Sequence, residues 1–494
     1  TAYEIGVRLV GSEMCIRDRS GILDADMSLL EERLSRDSQF VWLERQVSDE
    51  VAEAALRLGV AGVDFREEQA RVRPGGDSAL AVLGRTDIDA KGISGMELVY
   101  DSLLSGTDGE KIVERGLQGV SIPGGEYSVE PATHGRTLVL TLDRALQFEA
   151  ERLLIEGVER AAAEGGVLVA MDPATGQILA STTVRRDEDG RVGISSEHRA
   201  VTWTYEPGSI IKPLTFSAIL NGAVAAPATV REVPGRLEVH DATFKDTPAH
   251  DPEELTVADI VRRSSNVGTI LWAQDLGPEA LHEEFREFGL GSVTDLDFPG
   301  EARGILDPVG RWSGTSLPTI AIGQGVAVTP LQMLTAYATL ANGGIRPAPT
   351  LVLGTRDDGG MFSPRRVRPS MTVVSAAVAS EVVAMMERVV ESGTGTKAQV
   401  AGYRVAGKTG TAQVVGISQD GEDRSNELPE ELRDHALFIA FAPIEQPRIA
   451  IAVVVENGGS GSRAAAPIAR KIMDYYFIHR LRRASLPGIA HVFG

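Results

Sequence analysis

Tyr205-Glu206-Pro207-Gly208-Ser209-Ile210-Ile211-Lys212 is the stretch from which the rest of the chain is read. Gly208 lets the backbone turn into a helix that starts near Ser209. Residues three apart on a helix share a face, so the Lys212 amine is expected against the Ser209 hydroxyl. A serine is a weak nucleophile until a neighbouring base takes its proton. A lysine is such a base only where burial or nearby cations depress its pKa. The helix N-terminus also favours developing negative charge. Taken alone, a serine at a helix start reads more simply as a cap.

Two later motifs change that reading. Ser264-Ser265-Asn266 falls between two expected helices. There a hydroxyl at Ser264 can relay a proton between Lys212 and a leaving amine, and Asn266 can bind a substrate amide. Lys408-Thr409-Gly410-Thr411 opens an expected strand. Lys408 offers a cation for a substrate carboxylate, and Gly410 leaves the strand edge open to close approach. A substrate backbone can dock there by adding a strand. In isolation Ser264 is an ordinary helix-boundary serine, and Lys408 an ordinary solvated strand-end charge. Each motif occurs once, and they occur in the order found in penicillin-binding proteins and serine β-lactamases.

Working outward, residues 25–60 read as helical from Leu29, Leu30 and Leu34, and turn-rich pieces follow to about residue 135. This part is too polar and broken for an enzyme core and reads as a pedestal. Thr137–Leu142 is strand-like, and Asp143 caps a helix to about Glu159. Gly166–Met171 and Gln177–Ala180 read as a hairpin turning at Asp172-Pro173-Ala174-Thr175-Gly176. Helices are expected over 209–221, 256–263, 265–275, 278–288, 329–342 and 375–391. Strands follow over Tyr403–Ala406, Ala412–Val415, Leu437–Ala442 and Arg448–Glu456, and a closing helix spans about 463–478. The expected fold is α/β (α+β), an antiparallel sheet of sequence-distant strands with helical layers.

At this point the chain resembles a class B penicillin-binding protein over about residues 40–478. Gly92-Ile93-Ser94-Gly95-Met96-Glu97-Leu98-Val99-Tyr100-Asp101 is similar to the pedestal signature, and Thr141–Gln147 to the linker. Gly323-Gln324-Gly325, Thr329-Pro330-Leu331-Gln332 and Ala341-Asn342-Gly343-Gly344 resemble the mid-domain block. Gly407-Lys408-Thr409-Gly410-Thr411-Ala412-Gln413 is a specific match. The resemblance implies a penicillin-recognising transpeptidase fold at 136–480, a pedestal (dimerisation-type) domain at 21–135 and a tail at 481–494. It implies D,D-transpeptidation of peptidoglycan stem peptides: Ser209 as nucleophile, Lys212 as base, Ser264 as proton relay and Asn266 orienting the substrate. Lys408 and Thr409 would bind the terminal carboxylate, with Gly410 and Thr411 beside them. The backbone N–H groups of Ser209 and Thr411 would form the oxyanion hole. β-Lactams would acylate Ser209. No metal or cofactor is implied, and the implied partner is a membrane glycosyltransferase of the division or elongation complex.

Most of the chain resembles the division (septal) type, penicillin-binding protein 3-like. Leu428–Pro443 and Glu456-Asn457-Gly458-Gly459 instead resemble the elongation type, penicillin-binding protein 2, which suggests either an assembly chimera joined at the Lys408 block or a lineage with a mixed C-terminus. Gly11–Ser20 resembles translated sequencing-adapter read-through, so residues 1–20 are set aside as an artefact and a single-pass membrane anchor is expected to be missing before residue 21. The catalytic domain is then extracytoplasmic.

The formal net charge of −20 argues against a nucleic-acid partner. One cysteine, Cys15, allows no intrachain disulfide and no Cys-based metal site. His240, Asp241, His250 and Asp251 contain zinc-binding residue types, but their spacing reads as a polar loop. Rival readings are a serine β-lactamase or a D,D-carboxypeptidase, which would not need this pedestal, and an inactive wall-machinery scaffold, which would not need all three motifs.

Overall fold

A computed structural model of the chain describes residues 2–7, 27–36, 38, 40–57, 63–68, 70–115, 121–366, 368–413 and 434–481. Its main sheet draws strands from both ends of the catalytic region. The first group is β1 (Gly165–Met171), β2 (Ile178–Arg186) and β3 (Val192–Ile194); the second is β4 (Ala406–Gln413), β5 (Asp434–Ala442) and β6 (Ile449–Glu456). All neighbours are antiparallel, in the spatial order β4, β5, β6, β1, β2, β3. The two groups join where β6 pairs with β1, with Ala452 opposite Val169 and Val454 opposite Val167. The β1–β2 turn forms as its residues require. The Asp172 carboxylate accepts from the N–H groups of Ala174 at 2.9 Å and Thr175 at 3.2 Å, an Asx turn.

These strands are apolar on both faces because both are covered. Phe438, Ala440, Ile451 and Val453 pack in one buried cluster with Leu153 and Leu154 of α1 (Arg144–Arg160) and with Ile468 and Ile472 of the closing helix, Ala465–Tyr475. The alternate residues Leu437, Ile439 and Phe441 are buried too. Helix Pro330–Ala341 packs on β1, β5 and β6 without joining that cluster, so it covers the opposite face. Caps fix the helix starts. Asp143 accepts from Ala145 N at 3.0 Å and Leu146 N at 3.1 Å. Thr329 and Gln332 form a reciprocal capping box at the start of Pro330–Ala341.

Between the strand groups lie α2 (Lys212–Asn221), α3 (Val257–Arg263), α4 (Asn266–Leu276), helix Pro278–Glu287 and α5 (Ala376–Ser392), close to the expected spans. One expectation is corrected here. Tyr403–Ala406 and Ala412–Val415 were read as two strands; β4 instead runs unbroken from Ala406 to Gln413, through the Lys408 motif, because it pairs residue for residue with β5. Residues 414–433, where the two subfamily resemblances meet, lie outside the described residues. The strands on either side of them nevertheless share one ladder.

By compactness the chain divides into Thr1–Gly76 with Arg85–Asp101, and Asp77–Gly84 with Ser102–Gly494. Residues 102–135, read as pedestal, thus group with the catalytic unit, as a hairpin of Glu110–Arg115 and Ser121–Glu130. In the first unit, Ala2–Val7 is the middle strand of an antiparallel sheet between Val41–Val47 and Val63–Glu68. Setting residues 1–20 aside therefore removes a strand that two others pair with. Gly11–Ser20, Cys15 and residues 482–494 lie outside the described residues. The helical reading of 25–60 is also corrected: Val41–Val47 is a strand between helices Met27–Leu34 and Asp49–Arg57. Val41 and Leu43 are buried and Trp42 and Glu44 half-buried, a period of two rather than 3.6. Among the described residues no helix is long and apolar enough to cross a membrane.

Candidate active site

Gly208–Ile211 forms a short 3-10 turn that runs directly into α2. Gly208 takes a φ of +51°, and a Cβ there would lie 2.7 Å from the Thr411 carbonyl oxygen, so the turn presses directly on β4. The Gly323–Val328 segment braces it from the other side. Gly208 N donates to Gly323 O at 2.9 Å, Gly325 N donates to Glu206 Oε1 at 2.8 Å, and Tyr205 pairs with Val328. From below, the buried Tyr337 hydroxyl donates to Ile210 O at 2.6 Å. Ser209 itself is half-buried at the surface of this turn.

The expected contact between Ser209 and Lys212 is replaced by another. Lys212 Nζ donates to Ser264 O at 2.6 Å, Asn266 Oδ1 at 2.7 Å and Ser264 Oγ at 3.3 Å. Among the described residues Ser209 Oγ has no hydrogen-bond partner. The Ser264–Asn266 turn offers acceptors that outcompete a hydroxyl for the ammonium protons. Ser264 adopts a left-handed φ of +65° between α3 and α4, which turns its carbonyl and hydroxyl to the same amine. Lys408 Nζ approaches from β4 and donates to Ser264 Oγ at 2.9 Å and Thr409 O at 2.9 Å. One hydroxyl thus lies between two lysines.

Both amines are fully buried. Burial disfavours the charged form and pushes Lys212 down to about 7, partly opposed by the negative charge of Asp246. Burial, reinforced by the nearby Lys212 charge, holds Lys408 well below the ordinary lysine value. Asn266 was expected to orient substrate. Its amide is engaged within the protein, accepting from Lys212 and donating from Nδ2 to Lys245 O at 3.1 Å, so it holds the lysine.

Among the described residues β4 is the edge strand of its sheet, and no other strand pairs with one row of its backbone groups. Thr411 is exposed there, and Thr409 Oγ1 lies 2.5 Å from Thr394 Oγ1 in the turn after α5. Gly410 serves a different close approach from the one read in sequence. A Cβ there would sit 2.8 Å from Ile210 Cγ2 and 3.2 Å from Ile210 N. Its missing side chain admits the nucleophile turn. Asp246, Tyr337 and Thr394 belong to no local motif, and Glu206 stands in the Ser209 stretch without a role that its neighbours suggest; each acts across a long sequence separation. His250 lies against Asp246, with Nε2 at 3.1 Å from Oδ2. Among the described residues no group of three potential ligand side chains could hold a metal ion.

A family model described as the penicillin-binding protein transpeptidase domain matches residues 166–474, and one described as the penicillin-binding protein dimerisation domain matches residues 15–140. The chain belongs to the class B penicillin-binding proteins. Penicillin-binding protein PbpB of Mycobacterium tuberculosis is 33% identical over 474 residues, covering 91% of this chain and 68% of the relative. Peptidoglycan D,D-transpeptidase FtsI of Escherichia coli is 33% identical over 446 residues, covering 88% and 71%. Among solved structures, the apo form of M. tuberculosis penicillin-binding protein 3 superposes with a TM-score of 0.73 at 31% identity, covering 84% of this chain and 91% of that one. The same relative is also known in complex with aztreonam and with ampicillin.

Proposed function

We propose that this class B penicillin-binding protein is a serine D,D-transpeptidase that cross-links peptidoglycan stem peptides during septal wall synthesis. The observation that carries the reading is the convergence of Lys212 and Lys408 on Ser264, beside the braced Ser209 turn, with Lys212 near 7. Lys212, as neutral amine, takes the proton from Ser209 Oγ as that oxygen attacks the penultimate D-Ala carbonyl. The carbonyl oxygen gains the negative charge, and the backbone N–H groups of Ser209 and Thr411 stabilise it; one such donor is typically worth about 100- to 1,000-fold in rate. The proton passes through Ser264 to the departing D-Ala nitrogen, which leaves a serine ester. An amine from a neighbouring stem peptide then attacks the ester, gives up its proton along the same route and frees Ser209.

Lys408, with Thr409, receives the substrate's terminal carboxylate, whose arrival restores the charge that burial disfavours. Gly410 and Thr411 border the edge along which the peptide adds as a strand. A β-lactam follows the first half of this path and remains as the ester. Side chains and backbone carry every step, so the reading calls for no cofactor. By family resemblance the catalytic unit works outside the cytoplasm behind a membrane anchor, beside a membrane glycosyltransferase of the division complex.

Labelling with a fluorescent penicillin tests this directly. Wild type labels, and Ser209→Ala does not. A folded wild type that stays unlabelled, or a Ser209→Ala variant that labels, refutes the assignment.

A further inference from the structure

Behind the Ser264–Asn266 turn lies a carboxylate that belongs to none of the three motifs. Asp246 is only 7% exposed. Its Oδ2 accepts from Ser265 Oγ at 2.5 Å. Its Oδ1 accepts from the N–H groups of Asn266 at 2.6 Å and Val267 at 3.0 Å. Those are the first amides of α4, which have no partner within their own helix. One side chain thus grips three consecutive residues. Their other side holds the lysines: Ser264 and Asn266 supply every acceptor of Lys212 Nζ named above, and Ser264 Oγ also receives Lys408. The link is mechanical as well as electrostatic, because a shift of the turn moves both amines relative to Ser209.

We propose that Asp246 is the positioning residue of this site, fixing the turn that holds Lys212 and setting a negative charge toward that lysine without touching substrate. The inference rests on the transpeptidase reading above. The electrostatics agree with the geometry. Burial drives Lys212 down and Asp246 is the charge that opposes it, so without that charge Lys212 falls further. The other charged groups nearby come from each surrounding element. Lys408 of β4 faces Lys212 across Ser264. His250 caps the outer oxygen of Asp246, with its pKa raised by its contacts to the Asp251 carbonyl and to Asp246. Arg263 of α3 is paired with Glu253, which also reaches His250. Arg262 of α3 is paired with Asp259.

The test compares Asp246→Asn, Asp246→Glu and Ser265→Ala with wild type in the full chain. The second-order rate of acylation by a fluorescent penicillin is followed from about pH 5 to 9, where a base near neutrality titrates. In Asp246→Asn the rate falls about 10- to 100-fold from the displaced turn. Its acidic limb also moves down by about one pH unit, because a lysine without that carboxylate loses its proton sooner. Ser265→Ala loosens the turn but keeps the charge, so its rate falls while its midpoint stays at the wild-type value. A purely structural role would lower the rate in both variants and shift neither midpoint. A folded Asp246→Asn with the wild-type midpoint, or with a rate within about twofold of wild type, overturns the proposal. If Asp246→Asn does not fold, Asp246→Glu and Ser265→Ala carry the test of the rate. Asp246→Ser, which also removes the charge, is then read for the downward shift of the midpoint; a folded Asp246→Ser with the wild-type midpoint, or a wild-type rate in Asp246→Glu or Ser265→Ala, overturns the proposal. A wild type that fails to label at Ser209, or shows no acidic limb, defeats the transpeptidase reading itself.

Discussion

Lys212→Arg separates the work of the amine from that of its charge. A lysine at its ordinary value of 10.5 is only about 0.03% neutral at pH 7, whereas one at about 7 is about half neutral. The buried site thus raises the population of usable base by roughly a thousandfold, equivalent to about 5 kcal/mol of bias toward the neutral form. The sign follows from the cause: desolvation penalises the ammonium, so the folded pKa lies below the unfolded one. The base therefore becomes available as pH rises through about 7 and is lost below it. Arginine keeps a cation in place but does not surrender its proton at these pH values. Wild-type acylation by a fluorescent penicillin, followed by stopped flow, should climb about tenfold per pH unit below neutrality and level off above it. Lys212→Arg should lose at least about a thousandfold at pH 8 and show no such climb, with its fold verified by circular dichroism. A folded Lys212→Arg within about tenfold of wild type, or a flat wild-type profile across neutrality, would refute the assignment of this amine as base.

Four further substitutions probe the supports of the site. Tyr337→Phe leaves the buried Ile210 carbonyl without its 2.6 Å donor and should cost about 1–3 kcal/mol in denaturant unfolding, with slower acylation. An unchanged unfolding midpoint would show that the contact contributes nothing. Gly208→Ala puts a Cβ on a residue with φ +51° and against the Thr411 carbonyl; about 1–2 kcal/mol of strain is expected, together with at least tenfold slower acylation. Thr394→Val removes the hydroxyl 2.5 Å from Thr409 and should weaken binding of a stem-peptide substrate about tenfold, raising KM more than it lowers kcat. Asp143→Ala uncaps α1 and should lower stability by about 1 kcal/mol while leaving the acylation rate of the folded protein unchanged.

The parts legible in the sequence are those governed by local chemistry. The Asp143 cap, the Asp172 turn and the Thr329–Gln332 box follow from a polar side chain reaching a nearby amide, and each stands where its residues place it. The doubly buried strands β5 and β6 announce themselves as unbroken apolar runs. The three motifs also locate the site, because they are short and stand in a fixed order. What stayed hidden depends on tertiary pairing. Val41–Val47 was absorbed into a helix because the leucines at 29, 30 and 34 set a helical period that the chain abandons shortly afterwards. The glycines of the Lys408 block suggested a broken strand, yet a ladder with β5 carries β4 through them. Asp246 and Thr394 are an ordinary loop aspartate and threonine until folding brings Ser265 and Thr409 within reach. Even Ser209 and Lys212, spaced as a helix allows, do not bond to each other, because the decisive acceptors arrive from Ser264 and Asn266.

The join of β6 to β1 has a consequence for how the protein comes into being. Ser209 and Lys212 leave the ribosome long before the segment that carries Lys408, and β1 waits for β6 to be made. Pairings between distant segments form late and slowly. Until the C-terminal strands arrive, nothing presses on the Gly208 turn from the Thr411 side, and Ser264 lacks its second lysine. A nascent or truncated chain therefore carries the serine without its reactivity. Covalent capture by a penicillin then reports more than the presence of Ser209: it marks a molecule whose two ends have met.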